Sequence, residues 1–414
     1  MKILIQKPAT GNPYMHLFIQ CLYKHFLLIF FLLPVACAHP QNQLPANGIH
    51  TGAECTSQYF ELLKGKNIAV VANQTSLIGK THLVDSLLHA GFAVTKVFAP
   101  EHGFRGNAQA GEKVNNSLDG KTGLPIVSLY GKHLKPTAED LKDIDLVIFD
   151  IQDVGARFYT FSSTLTYVME ACAENDVELL VLDRPNPNGF YVDGPVLDTA
   201  YRSFVGLHPV PIVHGLTIAE YALMINGEGW LHGGKKCRLR YVAIENYTHS
   251  MQYVLPINPS PNLSCPEAVL LYPSLCLFEG TNVSVGRGTS ASFTMIGHPD
   301  YPKKDFCFTP KGDPKTTYAP LYDGVSCFGL NLRDSAEKFR TRTACLYLGW
   351  LINMYKILPD NKLFFNTFFD KLAGSPRLRE QIIKGLSEEE IRKSWQSDLE
   401  KYKAKRKKYL LYSE

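Results

Sequence analysis

A chain of 414 residues, 45% hydrophobic and 20% charged, has the make-up of an ordinary globular protein and length enough for two cores. That balance excludes collagen-like, coiled-coil and wholly disordered classes. The formal charge is +4, but Lys2, Lys7 and Lys24 stand in the first 38 residues, which hold no acid, and basic residues crowd Lys401 to Lys408. The body between is slightly acidic, which argues against nucleic acid as a partner.

Lys24-His25, the apolar run Phe26 to Leu33, Pro34 and the small-residue stretch Val35-Ala36-Cys37-Ala38 have the order of a secretory signal. Residues 1–38 are therefore expected to be a signal peptide. The apolar run is too short to span a bilayer. Cleavage after Ala38 releases a secreted or periplasmic protein. Cleavage before Cys37 leaves a membrane-anchored lipoprotein, a form that Pro34 fits poorly. Met15 is a second candidate start, because Lys2 to Pro13 is unlike a leader.

From Asn67 apolar strands alternate with helices. Strands are predicted at 67–71, 94–98, 125–129, 145–151 and 178–182. Helices are predicted at 81–90, ended by Gly91, at 136–142 and at 158–174. This alternation predicts a parallel, Rossmann-like sheet covered on both faces, spanning 48–225. After about residue 225 the regularity fades, and 226–414 is expected to form a smaller α/β part with a cleft between the two. Ser387-Glu388-Glu389-Glu390 is a capping box that opens a final helix carrying Ile391, Trp395, Leu399 and Tyr402. The basic tail reads as its solvated end. Ten cysteines include no C-x-x-C. Cys265 with Cys276, or Cys307 with Cys327, could bridge after export, or all could stay as buried thiols.

Each predicted strand runs into a polar loop. These are Asn73-Gln74-Thr75, Pro100-Glu101-His102-Gly103-Phe104-Arg105-Gly106, Tyr130-Gly131, Gln152-Asp153-Val154-Gly155-Ala156-Arg157-Phe158-Tyr159 and Asp183-Arg184-Pro185-Asn186. Open parallel sheets bind ligands beyond the carboxyl ends of their strands. There is no G-x-G-x-x-G, P-loop, G-x-S-x-G elbow or H-E-x-x-H, so no cofactor or metal is implied. Carboxylates remain. Glycoside hydrolysis needs two of them, one able to hold a proton near neutral pH. Glu101, beside the apolar Phe98 and Phe104, is the leading acid, with Glu112, Asp150 and Asp153 as possible partners. Each could equally be a loop cap or ion pair. Arg157-Phe158-Tyr159 offers a cation beside an aromatic platform, or simply a packed aromatic with a solvated arginine. Arg287 between Gly286 and Gly288 is a second cation.

At these loops the sequence resembles the NamZ-like exo-β-N-acetylmuramidases, which remove terminal N-acetylmuramic acid from the non-reducing end of peptidoglycan fragments. The matching text includes Ala99-Pro100-Glu101-His102-Gly103-Phe104-Arg105-Gly106, Ala110-Gly111-Glu112 and Phe149-Asp150-Ile151-Gln152-Asp153-Val154-Gly155-Ala156-Arg157-Phe158-Tyr159-Thr160. Further matches are Leu182-Asp183-Arg184-Pro185-Asn186-Pro187, His214-Gly215-Leu216-Thr217 and Leu277-Phe278-Glu279-Gly280-Thr281-Asn282. The resemblance runs in order from about Gly48 to the end.

It implies a Rossmann-like part and a smaller C-terminal part framing a cleft, with Glu101 as the leading catalytic residue. Glu112 and Asp153 rank as the second group, with the substrate's own N-acetyl group as a third route. Asn73, Gln74, His102, Arg105, Asp150, Gln152, Arg157, Tyr159, Glu279, Asn282 and Arg287 are the expected substrate contacts. Muramic acid carries a lactyl carboxylate, which calls for an arginine. One departure is Val285, where the family usually has glutamate. The rival readings are a non-catalytic cell-wall glycan-binding protein, a related β-N-acetylhexosaminidase, and an esterase or amidase acting on the same wall.

Overall fold

The computed structural model describes residues 48–106, 117–313, 317, 319–342, 345–359 and 361–414, with main chain alone over 338–342 and at 361. The expected signal peptide, Cys37 and Glu112 lie outside the described residues. Six parallel strands build the main sheet: β1 (Ile68–Ala72), β2 (Val94–Ala99), β3 (Pro125–Ser128), β4 (Leu146–Asp150), β5 (Glu178–Leu182) and β6 (Leu239–Val242). They lie in the order 3-2-1-4-5-6, and Ser117–Leu118 pairs antiparallel on the β3 edge. The chain works outward from β1 through β2 and β3, then returns to the other side of β1 for β4. That reversal falls between β1 and β4, and the carboxyl ends of the strands at such a reversal are the usual ligand position in open parallel sheets.

Strands buried on both faces should read as continuous apolar runs, and β1 and β4 are buried at every position. Alternate side chains enter two separate cores. Ala69, Val71, Phe98, Val147, Phe149, Leu179 and Val181 face one; Ile68, Val70, Val97, Leu146, Ile148, Leu180 and Leu182 face the other. Helix α1 (Leu83–His89) covers the second core with Leu83, Val84 and Leu87. The first core is covered by α2 (Phe161–Glu174), α3 (Ile218–Glu228) and α4 (Pro266–Leu275).

The first core continues without a break into the C-terminal helices α5 (Arg333–Arg342), α6 (Gly349–Ile357), α7 (Phe369–Ala373), α8 (Arg377–Ile383), α9 (Glu388–Lys393) and α10 (Gln396–Arg406). Gly48–Glu414 accordingly forms one contact unit. The smaller C-terminal part has its own antiparallel sheet, β7 (Met295–His298), β8 (Cys307–Phe308) and β9 (Cys327–Asn331), in the order β7-β9-β8.

Several elements differ from the reading of the sequence. Helix α1 starts at Leu83, because Thr81–His82 pairs with Leu77–Ile78 and the His82 ring accepts the Val84 N–H at 3.2 Å as a cap. Residues 138–143 form turns rather than a helix. There Asp140 turns its carboxylate back onto the Thr137 N–H and hydroxyl, at 2.8 and 2.7 Å. The final helix is two: the capping box opens α9, and the chain restarts at Trp395 into α10. Ile391, Trp395, Leu399 and Tyr402 are all buried as expected. Arg406 in the basic tail is buried rather than solvated, donating to Gly215 O at 3.0 and 2.7 Å. The eight cysteines among the described residues are free thiols, and those of Cys172 and Cys237 contact each other in the core.

Candidate active site

The loop after β2 places Glu101. Pro100 ends the strand, Gly103 N donates back to Pro100 O at 3.0 Å, and His102 and Gly103 both adopt positive φ, 71° and 76°. A left-handed histidine is an unfavourable backbone state that its surroundings must hold. Phe104 is buried against the His82 ring, with centroids 4.8 Å apart. Gly106 packs on Gln74, whose carbons would stand 3.0 Å from any Cβ there. Gln74 in turn donates to Asn258 O and Pro259 O at 3.2 and 3.1 Å. Glu101 is thus carried on a tightly folded loop, half-buried. Its Oε2 accepts the Thr160 hydroxyl at 2.8 Å. Thr160 sits at the N-cap of α2, where a threonine oxygen ordinarily accepts a helix N–H. No such capping bond forms here, and the hydroxyl serves Glu101 instead.

The loop after β4 supplies the neighbours. Tyr159 is buried, and its phenol is pushed well above its ordinary range, first by burial and then by the Asp153 carboxylate, with Glu101 adding a smaller push. The charges of both acids therefore act on the Tyr159 phenol. Asp153 Oδ2 accepts the Gly155 N–H at 2.6 Å, while Oδ1 is buried without a hydrogen bond. Gln152 ties this loop to the next strand end, donating to Asp153 O at 2.8 Å and Pro185 O at 2.7 Å.

Beside them Tyr272 meets Tyr159 edge to face at 5.7 Å, and burial first, then Cys276 and the Glu279 charge, raise its phenol. Glu279 pairs with Arg287, whose guanidinium lies 5.2 Å from the Phe293 ring centroid. The Tyr159–Tyr272 contact so links the N-terminal acids to the Glu279–Arg287 pair. Asn282 nearby in sequence leaves its buried Oδ1 without a partner.

Four other expected contacts are engaged within the protein. Asp150 is fully buried in a two-point pair with Arg184, at 2.6 and 2.9 Å. Arg105 is held by Asp119 at 3.0 and 2.8 Å and by Asp85 at 3.2 and 3.4 Å. Arg157 is wholly buried and donates to the Pro195, Val210 and Leu372 carbonyls at 2.8 to 2.9 Å. Burial without a carboxylate lowers its pKa to about 10. Asn73 is buried and caps its own turn, accepting from the Thr75 N–H and hydroxyl. The cations foreseen for the substrate's carboxylate are thus structural in two cases of three. His102 is buried in the Glu101 loop. No three His, Cys, Asp or Glu among the described residues converge as a metal site.

Comparison with known proteins bears on what this arrangement belongs to. The models for the N-terminal and C-terminal parts of exo-β-N-acetylmuramidase NamZ match residues 68–267 and 270–412. The peptidoglycan β-N-acetylmuramidase NamZ of Bacillus subtilis (strain 168) is 37% identical over 412 residues, covering 93% of this chain and 97% of that protein. Among solved structures, a DUF1343 family protein of Bacteroides fragilis NCTC 9343 is 45% identical, with a TM-score of 0.81 over 89% of this chain and all of that one. A second protein of that family from the same organism is 29% identical, with a TM-score of 0.74 over 88% of this chain and 99% of its own. The chain therefore belongs to the NamZ exo-β-N-acetylmuramidase family.

Proposed function

We propose that the protein is an exo-acting β-N-acetylmuramidase, a glycoside hydrolase that removes terminal N-acetylmuramic acid from the non-reducing end of peptidoglycan fragments during cell-wall turnover or recycling. The observation that carries this reading is Glu101: half-buried at a strand's carboxyl end and bonded to Thr160, whose neighbour Tyr159 also feels the charge of a second carboxylate, Asp153. Near-complete alignment with the Bacillus NamZ supports the substrate. Glu101 protonates the glycosidic oxygen as the bond to the anomeric carbon breaks, and Arg287 is the remaining cation for the lactyl carboxylate.

The test is Glu101→Gln assayed on a chromogenic β-N-acetylmuraminide. An expected loss of about 10²–10⁴-fold follows from removing the proton donor. Turnover near wild type sinks the assignment. The matched N-acetylglucosaminide separates a muramidase from a broader β-N-acetylhexosaminidase, because only the former needs the lactyl group. A glycan-binding protein releases no sugar from either. A wall substrate also fits export through residues 1–38. The mass of the mature N-terminus distinguishes cleavage after Ala38 from a lipid on Cys37.

A further inference from the structure

Asp153 faces a residue outside its own loop. His214, in the turn before α3, brings Nε2 to 3.6 Å from Asp153 Oδ2. His214 Nδ1 accepts the Leu216 N–H at 3.2 Å, so the neutral ring must carry its proton on Nε2, the nitrogen turned to Asp153. Both side chains are buried, and neither Asp153 Oδ1 nor His214 Nε2 has a hydrogen bond. Buried polar atoms are nearly always paired, so an open acceptor, Asp153 Oδ1, together with an open donor, His214 Nε2, turned to the other oxygen of the same carboxylate, points to a use.

The frame around this pair is closed. Asn186 Nδ2 donates to Leu216 O at 2.9 Å, and its amide fills the space a Cβ on Gly155 would take. One side chain so braces the main chain beside both members. Gly155 has φ 77°, and Gly215 has φ 64° with Val192 and Tyr191 O against its bare Cα. From α10, Tyr402 donates to His214 O at 2.7 Å and Arg406 to Gly215 O. The other titratable groups facing the pair are Tyr159 from the β4 loop and Tyr221 from α3, whose ring meets His214 edge to face at 5.0 Å. Arg157 acts on Tyr221 and Glu101 on Tyr159, one layer further out.

We propose that Asp153 is the base of the hydrolysis and that His214 is its positioning residue, an inference that rests on the muramidase reading above. His214 Nε2–H holds Oδ2, through a bond that is long in the free enzyme and shortens with substrate bound. Oδ1 is thereby left to the attacking water. As Glu101 gives its proton to the leaving glycosidic oxygen and that bond to C1 breaks, the water oxygen bonds C1 from the opposite face. Asp153 Oδ1 takes the proton the water loses. Exchange with solvent then returns both acids to their starting states, and the sugar is released with inverted configuration.

Proton NMR of the wild-type reaction on a β-muraminide gives the first reading, and the expected first product is the α anomer. Asp153→Ala should lose about 10²–10⁴-fold in turnover. Azide needs no base, so it should restore turnover and give an α-glycosyl azide. His214→Phe should lower kcat and move the acid limb of kcat/KM up by about half a pH unit to one, because a donor to the ionised carboxylate is lost. His214→Gln keeps an N–H and should recover part of both. Melting temperatures establish that each variant is folded. A β first product, near-normal turnover in Asp153→Ala, or an unmoved acid limb in folded His214→Phe overturns the proposal. Those results in an enzyme that Glu101→Gln silences leave the muramidase reading intact. A wild type that releases no muramic acid removes the reading itself.

Discussion

Two neighbouring parallel strands each deliver a buried aspartate just beyond their carboxyl ends, and the two are treated in opposite ways. Asp183, after β5, accepts from the Thr217 hydroxyl at 2.7 Å, Ala219 N at 2.9 Å, Arg184 N at 3.0 Å and the Tyr412 phenol at 2.6 Å. Tyr412 belongs to the chain's last residues, so this carboxylate locks the C-terminus onto the sheet. Asp153, after β4, receives one main-chain N–H and a histidine beyond hydrogen-bond reach. A saturated buried carboxylate is an anchor. An unsaturated one costs the fold stability, a cost that the role of base proposed for Asp153 would account for. The same contrast sorts the arginines, since Arg184 is saturated by Asp150 while Arg287 keeps one partner at a partly open edge.

Exchanging each aspartate tests this division most severely. Asp153→Asn should cut turnover by about 10²–10⁴-fold while leaving the urea midpoint near wild type. Asp183→Ala should do the reverse, costing about 3–5 kcal/mol of stability because four buried groups lose their hydrogen-bond partner at once. Equal effects on both quantities at both sites would dissolve the comparison.

Asp183 also has a pH signature. Burial is the main cause that raises its pKa to about 7, with Glu220 adding to it and Tyr412, Ala219 and Thr217 opposing. The unfolded value is about 3.9, so the folded state holds its proton more tightly. Its contribution to stability is full below about pH 4 and is lost as pH rises to about 7. Asp85, Asp119 and Glu178, with lowered values, act in the opposite sense. Urea midpoints of wild type and Asp183→Asn across this range isolate the effect: their difference should shift steadily between pH 4 and 7 and level off above. A constant difference would mean that Asp183 is ionised throughout.

Gly155→Ala should have a smaller effect, about 1–3 kcal/mol, from forcing an alanine into φ 77° against the Asn186 amide. Because Gly155 holds Asp153, turnover should fall more than the melting point suggests.

What was legible in the sequence follows from range. Strands β1 and β4 announce themselves as apolar runs because both faces are buried, β2, β3 and β5 are apolar over most of their length, and Glu101 is readable as a strand-end residue. β6 escapes because its middle residues, Arg240 and Tyr241, are exposed on an edge strand. The 136–142 helix fails because Asp140 and Thr137 bond locally. Arg105 looks free in sequence because Asp85 and Asp119 lie 20 and 14 residues away. His214 stands in a matched motif, yet nothing local says that it meets Asp153. Thr160 carries only the signal of a helix cap, and its bond to Glu101 spans 59 residues.

Arg105 gives the finest test of that lesson, because the smallest effect is expected there. Read by sequence, it is a cation beside the catalytic glutamate and should grip the substrate's carboxylate. In the fold Asp119 and Asp85 take two hydrogen-bonding edges of its guanidinium, and its side chain is 27% exposed. Removing it strands neither partner: Asp85 keeps Lys121 at 2.7 Å, and Asp119 keeps the Thr122 N–H and hydroxyl. Arg105→Gln should therefore cost only about 1 kcal/mol in stability, near the upper end for partly exposed pairs. KM for the muraminide should stay within about twofold of wild type, a change worth about 0.4 kcal/mol of binding. A tenfold rise in KM with an unchanged melting point would return Arg105 to the substrate and would show that its two aspartates are resting partners, displaced when the sugar arrives.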